Sequence, residues 1–477
     1  MKMIIGGKKA GASDGAEKKV INPTTLEVID TVPAATEEDV KQAIQEAKEG
    51  QKEWAEVPLC ERVNIIRRFN KLFLENKEWF LEMGPKEIGK CKSDVDDEIG
   101  SAATIAEHFC NIAPAFKTET FPPGDTPGTE HNLMITVREP YGVCACILPY
   151  NFPIEMFMHK TVPALLMGNS IVIKPASDTC LVDIKMAELL LEAGVTPKAV
   201  NLVTGSGATI GDWLTTNPDV GVVTFTGSTA VGKQIGANCG ANLIPLVSEL
   251  GGNDSLVILD DADIDYAVEQ AVYGRKMNSG QVCCSNKRIL VQNSIKDEFA
   301  EKLKKALEGL TVGNPFDDVS YGTLVSVKAA RDVEDSIKQV LEEGGKLLTG
   351  GKRFNETMVE PTLVDVNRDN VVAKNLEIFG PVWSMIGFDT DDDAIEISNQ
   401  SDYGLSGGVI TKDMNRGMHV AHMMDTGTVI INGSGLYRTA GQAFGGNHDS
   451  GIGREGGAYS FANMTKIKTI VLSGCYK

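Results

Sequence analysis

Two adjacent cysteines stand on a polar turn in the second half of this sequence. The segment MNSGQVCCSNKR (277–288) places Cys283 and Cys284 after a glycine, and Lys287 and Arg288 follow closely. A cysteine in a protein core is usually an unreactive small hydrophobic residue, whereas a reactive thiol needs partial exposure and a positive or dipolar surrounding. The pair, on a polar turn with two cations nearby, indicates a candidate nucleophile.

Two further polar side chains are held in turns of restricted or unusual backbone. In SELGGND, Glu249 comes just before two glycines, and in PYNFP, Asn151 lies between two prolines, which is a rigid way to orient an amide donor. Both also have ordinary explanations, as a surface glutamate before a turn and as a turn asparagine. Spacing alone does not determine whether these side chains meet the thiol.

A glycine-rich loop, VTFTGSTAVGKQIG (223–236), fits the start of a nucleotide triphosphate site, but Gln234 stands where a Ser or Thr magnesium ligand is needed. The apolar run LVILDD (256–261) resembles the acidic strand of such a site, yet its aspartates also suit the start of the next helix. We therefore disfavour a P-loop NTPase. The turn still presents backbone N–H groups to an anion, and a dinucleotide pyrophosphate needs no magnesium ligand from the protein. A second glycine-rich turn, GSGATIG (205–211), lies one unit earlier.

Helical and β-rich segments alternate along the chain, which predicts an α/β fold. A capping box at Thr36 and Asp39 begins a predicted helix over 36–55, and a second helix is predicted over Cys60–Phe80. The runs NSIVIKP, AVNLVTG and VGVVTFTG each precede a turn and a helix, which predicts a parallel sheet. A second α/β series covers about 256–433. The alternating tail TKIKTIVLSG predicts an edge or exchange strand and therefore oligomerisation.

Composition narrows the classes of protein. With 477 residues we expect two or three domains, and a net charge of −19 argues against nucleic-acid binding. We find no apolar run long enough for a membrane span and no signal peptide. The ten cysteines lack a disulfide framework, which predicts reduced thiols and a cytoplasmic location. Cys144-x-Cys146 and His419-x-x-His422 have no further ligands nearby, so we predict no metal site.

Eight motifs occur in an order and at separations that resemble the aldehyde dehydrogenase superfamily over nearly the whole chain. They are PYNFP, IKPAS, FTGSTAVGK, ELGGN, GQVCC, EIFGPV, YGLSGG and FGGNHDSGIGREGG. The resemblance implies a Rossmann-like cofactor domain (1–120 and 140–251) and an α/β catalytic domain (252–448). It also implies a β-ribbon of oligomerisation strands (121–139 and 458–477) in a homodimer or homotetramer.

The same resemblance implies a role for each polar residue above. The thiol of Cys283, rather than Cys284, attacks a small aldehyde substrate, and the Asn151 amide with the Cys283 backbone N–H stabilises the oxyanion. Hydride passes to NAD or NADP and leaves a thioester, which Glu249 hydrolyses as general base. Relatives that use coenzyme A tend to lack a carboxylate at that position, so water is the expected acyl acceptor.

The resemblance also implies the cofactor contacts, which are Lys174 and Ser177 at the adenosine ribose, Gly207, Gly227 and Ser228 at the pyrophosphate, and Glu377 and Phe379 at the nicotinamide ribose. Ser177 is a departure, because many NAD-preferring members have Glu there. A carboxylate would repel a 2′-phosphate and a hydroxyl would not, so we expect NADP to be accepted. His448 replaces a usual Lys, which predicts a changed surface or cofactor-edge contact, and Tyr150 replaces the commoner Trp.

The segments GRKMNSGQVCC and NGSGLYRTAGQAFGG look most similar to lactaldehyde and succinate-semialdehyde dehydrogenases. We predict a short hydroxylated or carboxylated aldehyde such as lactaldehyde, with succinate semialdehyde or non-phosphorylating glyceraldehyde-3-phosphate oxidation as alternatives. Candidate anion anchors near the pocket mouth are Arg275, Lys276 and Arg438, which are otherwise solvated surface charges. Candidate channel residues are Met156, Met277 and Tyr437, which are otherwise core filling.

Two other classes of protein are disfavoured. A cysteine hydrolase needs a histidine base, and none of the six histidines lies in a turn beside these motifs. A catalytically inactive scaffold of the same fold is disfavoured because Asn151, Glu249, Cys283 and Glu377 are all present.

Overall fold

The computed structural model describes residues 1–475, and two large sheets dominate them. Residues 476 and 477, the end of the predicted oligomerisation segment, lie outside the described residues. The helices are α1 Glu37–Glu56, α2 Leu59–Glu75, α3 Lys77–Ile88, α4 Lys92–Ile112, α5 Pro153–Leu166, α6 Leu181–Glu192, α7 Gly207–Thr215, α8 Thr229–Asn242, α9 Ile264–Lys276, α10 Lys296–Glu308, α11 Val327–Glu342, α12 Val371–Lys374, α13 Asp391–Asn399, α14 Met414–Met423 and α15 Gly457–Asn463.

The strands run from β1 near the N-terminus to β24 near the C-terminus. They are β1 Met3–Ile5, β2 Lys8–Ala10, β3 Glu17–Ile21, β4 Val28–Pro33, β5 Thr120–Phe121, β6 Leu133–Pro140, β7 Val143–Ile147, β8 Ser170–Lys174, β9 Val200–Leu202, β10 Val220–Thr226, β11 Leu246–Glu249, β12 Ser255–Ile258, β13 Arg288–Gln292, β14 Lys346–Thr349, β15 Arg353–Phe354, β16 Met358–Val359, β17 Thr362–Val366, β18 Val382–Phe388, β19 Tyr403–Gly404, β20 Ser406–Ile410, β21 Thr428–Ile431, β22 Asn447–His448, β23 Gly451–Ile452 and β24 Thr465–Leu472.

The first sheet has eight strands in the order β2-β1-β9-β8-β7-β10-β11-β23. Strands β9, β8, β7, β10 and β11 are parallel, as the repeated apolar runs predicted. Both faces of β7 are buried, because Val143 and Ala145 pack on one side while Cys144 and Cys146 pack on the other. That double burial explains why these strands read as continuous apolar runs rather than as alternating ones.

The parallel strands bring the predicted site residues to one edge of this sheet. Lys174 ends β8, Asn151 follows β7, Gly227 follows β10 and Glu249 ends β11. Ligands of open α/β sheets bind outside the carboxyl ends of the strands. The order of the strands therefore places residues from four separate motifs along a single crevice.

The second sheet has seven strands in the order β14-β17-β18-β13-β12-β20-β21, and all its pairings except β14 with β17 are parallel. Cys283 lies in the loop that leads into β13. The LVILDD run forms β12, in this sheet, whereas the glycine-rich loop follows β10 in the other. The acidic strand of the NTPase interpretation is therefore not beside the loop, and Asp263 instead caps α9.

Two local predictions differ from the structure. The Cys60–Phe80 segment forms α2 and α3, separated at Asn76, rather than one helix. The start of the 458–477 segment belongs to helix α15, because Phe461 is buried against Phe109 and Phe116. The predicted capping box of α1 is present as written, with Thr36 and Asp39 bonded in both directions.

The C-terminal strand β24 lies at the edge of a separate three-stranded sheet with β6 and β5. It pairs with β6 along its whole length, yet each of its residues from Lys466 to Leu472 is exposed. Among the helices of residues 1–475, none is long and apolar enough to cross a membrane.

Candidate active site

Residues of the first sheet, of helices α4, α5 and α9 and of the loops before β13 and after β21 line one cavity of about 180 Å³. Asn151 and Glu249 enter it from the carboxyl edge of the first sheet, and Cys283 enters it from the loop before β13. The structure thus brings together the three side chains whose proximity spacing alone did not determine. Cys284 also lines this cavity but is buried, whereas Cys283 is partly exposed.

The loop that carries Cys283 has an unusual backbone. Asn278, Ser279 and Gly280 have φ angles of 48°, 57° and 76°. Residues other than glycine rarely adopt this left-handed backbone conformation. The Asn278 Nδ2 donates to the Asn151 carbonyl at 3.0 Å, and Asn151 Nδ2 donates to the Gln281 carbonyl at 2.9 Å. These reciprocal bonds fix the loop relative to the PYNFP turn.

A buried lysine, Lys287, hydrogen-bonds the backbone of the nucleophile loop. Lys287 donates from Nζ to the carbonyls of Val282, at 3.1 Å, and Cys283. A hydrogen bond from the Cys284 thiol lowers the pKa of Cys283 to about 7 against the opposing effect of burial, and the charges of Lys287 and Arg438 act in the same direction. A substantial fraction of Cys283 is therefore thiolate at neutral pH.

Glu249 has the opposite protonation behaviour. Its carboxyl is buried, and neither oxygen has a hydrogen-bond partner among residues 1–475. Burial raises the pKa of Glu249 well above its usual range, and the neighbouring carboxylate of Glu455 raises it further. A Cβ on Gly445 would come within 2.6 Å of Glu249 Oε1, so only glycine leaves room for this side chain.

The cavity wall contains charged residues that the motifs did not single out. Glu455 forms a buried ion pair with Lys160, which holds the pKa of Glu455 below its usual value although burial opposes this. Glu155 lies 3.9 Å from Arg438. Burial alone would raise the pKa of Glu155, but His159 and Arg438 outweigh that effect and lower the pKa to about 2. Of these residues, only Lys160 and Glu455 could have been found from the sequence. Each is a charged residue within an apolar or glycine-rich segment, HKTVP for Lys160 and REGG for Glu455.

A second group of predicted residues converges at the other end of the crevice. A Cβ on Gly207 would lie 3.7 Å from Lys174 Nζ and 4.0 Å from Ser177 Oγ. Glycine at the start of α7 therefore leaves an open cradle beside an ammonium and a hydroxyl. Ser228 is the N-cap of α8 and its side chain makes no capping bond, so the first N–H groups of that helix have no side-chain acceptor.

Glu377 and Phe379 lie beside Lys287, the lysine that bonds the nucleophile loop. Glu377 Oε1 accepts from the Gly252 N–H at 3.1 Å and lies 3.3 Å from Lys287 Nζ. The Phe379 ring packs edge-on against Tyr150, with centroids 6.1 Å apart, so the tyrosine keeps an aromatic contact at a position where Trp is commoner. These groups fit a dinucleotide in an extended conformation. They comprise backbone donors at two helix starts, an ammonium, and a carboxylate that can accept hydrogen bonds from ribose hydroxyl groups.

The aldehyde dehydrogenase family model matches residues 11–470. This chain belongs to the aldehyde dehydrogenase family. Lactaldehyde dehydrogenase of Methanococcus aeolicus is 36% identical over 476 residues, which is 99% of this chain and 100% of that protein. The mitochondrial succinate-semialdehyde dehydrogenase of Arabidopsis thaliana is 36% identical over 472 residues, which is 98% of this chain and 88% of that protein.

Solved structures agree with the family assignment. Betaine aldehyde dehydrogenase from Staphylococcus aureus in complex with NAD⁺ has a TM-score of 0.96 at 32% identity, covering 100% of this chain and 95% of that one. An NADP-dependent enzyme of E. coli has a TM-score of 0.95 at 33% identity, covering 99% and 98%. The predicted family, the α/β fold and the activity class, NAD(P)-dependent oxidation of aldehydes, are confirmed.

The prediction that Arg275 of this aldehyde dehydrogenase binds the substrate is wrong. Arg275 is fully buried and does not reach the cavity. Its guanidinium donates to the carbonyls of Val382, Gly280 and Ile378 and to the Ser285 hydroxyl. Arg275 therefore ties the nucleophile loop to β18, because its position on the last turn of α9 faces inward rather than toward the pocket mouth.

The remaining substrate candidates divide between the cavity and its surroundings. Arg438, Met277 and Met156 line the cavity, whereas Lys276 does not. Tyr437, 62% exposed, lines a neighbouring hollow with Tyr266 and Tyr273 instead. Arg438 packs its guanidinium 4.0 Å above the Phe444 ring.

The contacts of Lys233 and Gln234, in the glycine-rich loop 223–236, also argue against a triphosphate site. Lys233 forms an ion pair with Asp449 at 2.7 Å instead of facing the loop. Gln234 bonds Asn238 on its own helix. His448 is exposed and bonds Asp425 at 2.7 Å, so the departure from Lys changes a surface pair. None of the histidines in the described part of the chain lines the cavity, which leaves a cysteine hydrolase without its base.

Proposed function

We propose that this aldehyde dehydrogenase oxidises a short, uncharged hydroxylated aldehyde such as lactaldehyde to its carboxylic acid, with NAD or NADP. The observation that carries the proposal is the convergence of Cys283, Asn151 and Glu249 on one cavity of about 180 Å³. A cavity of that size suits a few-carbon substrate and leaves little room for a long aliphatic chain.

In the proposed reaction Cys283 is the nucleophile, because its thiol has the lowered pKa and the exposure that an attacking thiolate needs. Attack on the aldehyde carbon creates an oxyanion, which accepts hydrogen bonds from the Asn151 amide and the Cys283 backbone N–H. When bound, the nicotinamide cofactor supplies the hydride acceptor.

Glu249 acts in the second half-reaction. It takes a proton from water, and the hydroxide attacks the Cys283 thioester and releases the acid and the thiol. The raised pKa of Glu249 makes it a stronger base than an exposed carboxylate. Its presence supports water rather than coenzyme A as the acyl acceptor.

The charge of the cavity supports an uncharged substrate over an anionic one. Six carboxyl groups line it, from Asp94, Asp97, Glu98, Glu155, Glu249 and Glu455, against one guanidinium. Lys90 pairs with Glu98 and Lys160 with Glu455, and burial favours a proton on Glu249, so Asp94, Asp97 and Glu155 remain opposite the guanidinium. That guanidinium, on Arg438, already lies 3.9 Å from both Glu155 and Glu455. An anionic aldehyde such as succinate semialdehyde would meet net repulsion at the mouth.

Succinate semialdehyde stays a second candidate because of one feature of Arg438. Its Nε and Nη2 atoms are buried and have no hydrogen-bond acceptor among residues 1–475. A substrate carboxylate would satisfy both in the bidentate geometry that guanidinium groups favour. The succinate-semialdehyde dehydrogenase relative supports this alternative.

The cofactor end supports acceptance of NADP alongside NAD. Lys174 and Ser177 would hold the adenosine ribose, and the cradle beside Gly207 has no carboxylate where many NAD-preferring relatives carry one. Gly227 and Ser228 would face the pyrophosphate, and Glu377 with Phe379 the nicotinamide ribose. The resemblance to an NADP-dependent enzyme and to an NAD⁺-bound one supports both cofactors.

The domain and assembly predictions also stay proposals. The first sheet takes most of its strands from 1–120 and 140–251 and the second from 252–448, which supports that division, although β23 (Gly451–Ile452) joins the first sheet. We place the oligomer contact at β24, whose exposed Ile467 and Val471 suit pairing with the free edge of β21 in a second copy. The ten free cysteines support a reducing, cytoplasmic location.

A substrate panel tests the proposal. The full chain, with Cys283→Ala as control, is assayed with lactaldehyde, succinate semialdehyde, glyceraldehyde-3-phosphate and a long aliphatic aldehyde, with both cofactors, and the acid product is quantified. We expect the highest kcat/KM for lactaldehyde. We also expect added salt to raise kcat/KM for succinate semialdehyde, since screening weakens repulsion. The highest kcat/KM for succinate semialdehyde, falling with salt, would establish the second candidate instead.

A further inference from the structure

The N-terminal hairpin of β3 and β4 reaches the loop that carries Ser177. Lys18, on β3, donates from Nζ to the Ser177 carbonyl at 2.7 Å and to Asp178 Oδ1 at 3.0 Å. The Lys18 side chain is 34% exposed and the Asp178 side chain 59%. A residue far away in sequence and outside all eight motifs therefore contacts the loop at the proposed adenosine end of the cofactor site.

The charges around this loop are few and identifiable. Lys174 is buried, and its Nζ donates to the Pro175 carbonyl at 2.7 Å. Burial, together with the charge of Lys18, lowers the pKa of Lys174 to about 8. Asp178 is the anionic side chain that Lys18 pairs with, and Ser177 is neutral.

These contacts suggest how the loop treats a phosphorylated ribose. NADP differs from NAD by a phosphate on the 2′-hydroxyl of the adenosine ribose, where Ser177 and Lys174 are expected to lie. Asp178, next to Ser177, would repel that phosphate if it were unpaired. With Lys18 in place, the loop carries two ammonium groups and one carboxylate, and without Lys18 the charges of Lys174 and Asp178 cancel.

We propose that Lys18 is a specificity-determining residue for the cofactor, because it neutralises Asp178 and so leaves the positive charge of Lys174 uncancelled beside the 2′-phosphate of NADP. The proposal rests on the proposed use of NAD(P) by this site. Lys18 selects for the phosphate alone, since the 2′-hydroxyl of NAD carries no charge. Its contribution is limited by exposure, so it discriminates between the cofactors without being required for catalysis.

Four variants test this proposal by binding as well as by rate. They are Lys18→Met, Lys18→Arg, Asp178→Asn and the double variant Lys18→Met/Asp178→Asn. Lys9→Met is the matched control, because Lys9 also lies on an N-terminal strand and pairs with a carboxylate, Glu188, at 2.7 Å. Isothermal titration calorimetry gives the Kd of each full-length variant for NADP⁺ and for NAD⁺, and steady-state assays give kcat/KM for each cofactor.

We expect Lys18→Met to weaken NADP⁺ binding about tenfold, the effect of one partly exposed charged contact, and to leave NAD⁺ binding unchanged. Lys18→Arg should retain NADP⁺ binding. Asp178→Asn should tighten it, and the double variant should recover most of the loss, because removing both charges restores the balance. Lys9→Met should change neither Kd.

Two results would overturn the proposal. Equal weakening of NADP⁺ and NAD⁺ in Lys18→Met would show that Lys18 only anchors the hairpin, and an unchanged NADP⁺ Kd would show that it does not face the phosphate. Wild-type protein that binds NAD⁺ and oxidises aldehydes but does not bind NADP⁺ would also overturn it. If the wild type binds neither cofactor, the proposed function itself is wrong.

Discussion

Lys160 and Glu455 form a buried ion pair at the wall of the catalytic cavity. The ammonium lowers the pKa of Glu455, while burial and the Glu455 carboxylate raise the pKa of Glu249. The pKa values of two carboxyl groups in one cavity are therefore shifted in opposite directions, so that Glu455 stays charged while Glu249 tends to stay protonated. Such divergence separates the roles of neighbouring acids.

The ion pair predicts opposite pH shifts for two variants. Glu249 acts as a base only when deprotonated, so thioester hydrolysis rises with pH through its pKa. Lys160→Met removes a charge that lowers this pKa and should move the acidic limb to higher pH. Glu455→Gln removes a charge that raises it and should move the limb to lower pH. Single-turnover hydrolysis of the acyl-enzyme across pH measures both, and parallel shifts would contradict the coupling.

The Cys283 thiol should react as a thiolate near neutrality. Since its pKa is lowered to about 7, the rate of alkylation by iodoacetamide should rise with pH and reach half its maximum near pH 7. Cys284→Ala should move the midpoint upward, because the thiol that bonds the thiolate is gone. Cys283→Ala reports the background from exposed Cys60 and Cys475. A midpoint near the ordinary cysteine value of about 8.5 would refute the activation.

Replacing the general base should separate the two half-reactions. In Glu249→Gln we expect the first turnover of NADH formation to persist, while steady-state turnover falls about 10²–10³-fold. Stopped-flow absorbance then shows a burst followed by a slow phase. Asn151→Ala is the comparison, because loss of an oxyanion donor should slow the burst itself by about 10²-fold. A burst lost in both variants would place Glu249 in acylation instead.

The two arginines should behave differently on substitution. Arg275→Met leaves several buried carbonyls without a donor, so we expect a loss of about 2–4 kcal/mol in the free energy of unfolding. Arg438→Met should mainly change KM, because Arg438 lines the cavity. Chemical denaturation and steady-state kinetics on both variants test the distinction. An Arg275→Met enzyme of full stability with a raised KM would restore Arg275 as a substrate residue.

The edge strand predicts the behaviour of the assembly. Ile467, on β24, is an apolar side chain that is 59% exposed. Ile467→Asp should lower the oligomeric state seen by sedimentation velocity without changing the secondary structure seen by circular dichroism. Leu243→Asp is the control, since Leu243 is 90% exposed at the end of α8, away from the strand. Unchanged sedimentation would exclude β24 as the contact.

Local sequence patterns predicted the parallel sheet and the capping box well, since each depends on neighbouring residues. The roles of Asn151, Glu249 and Cys283 came instead from the resemblance of eight motifs to aldehyde dehydrogenases, because local patterns alone did not show that these side chains meet. The direction of Arg275 could not be predicted, because an arginine beside a catalytic turn is compatible with either face of α9. Lys18 and Glu155 were missed for a related reason, since their importance arises only from tertiary contacts.

Helix α4 presents Asp94, Asp97 and Ser101 to the cavity, at intervals of three and four residues and therefore along a single face. The nucleophile, the base and the cofactor residues all come from other elements. Asp94 accepts a hydrogen bond from the Asn278 N–H at 2.8 Å and so anchors the nucleophile loop, whereas Asp97 and Ser101 have no such bond among residues 1–475. For protein engineering, a small library at Asp97 and Ser101, with Asp94 kept, is the place to seek a new substrate range.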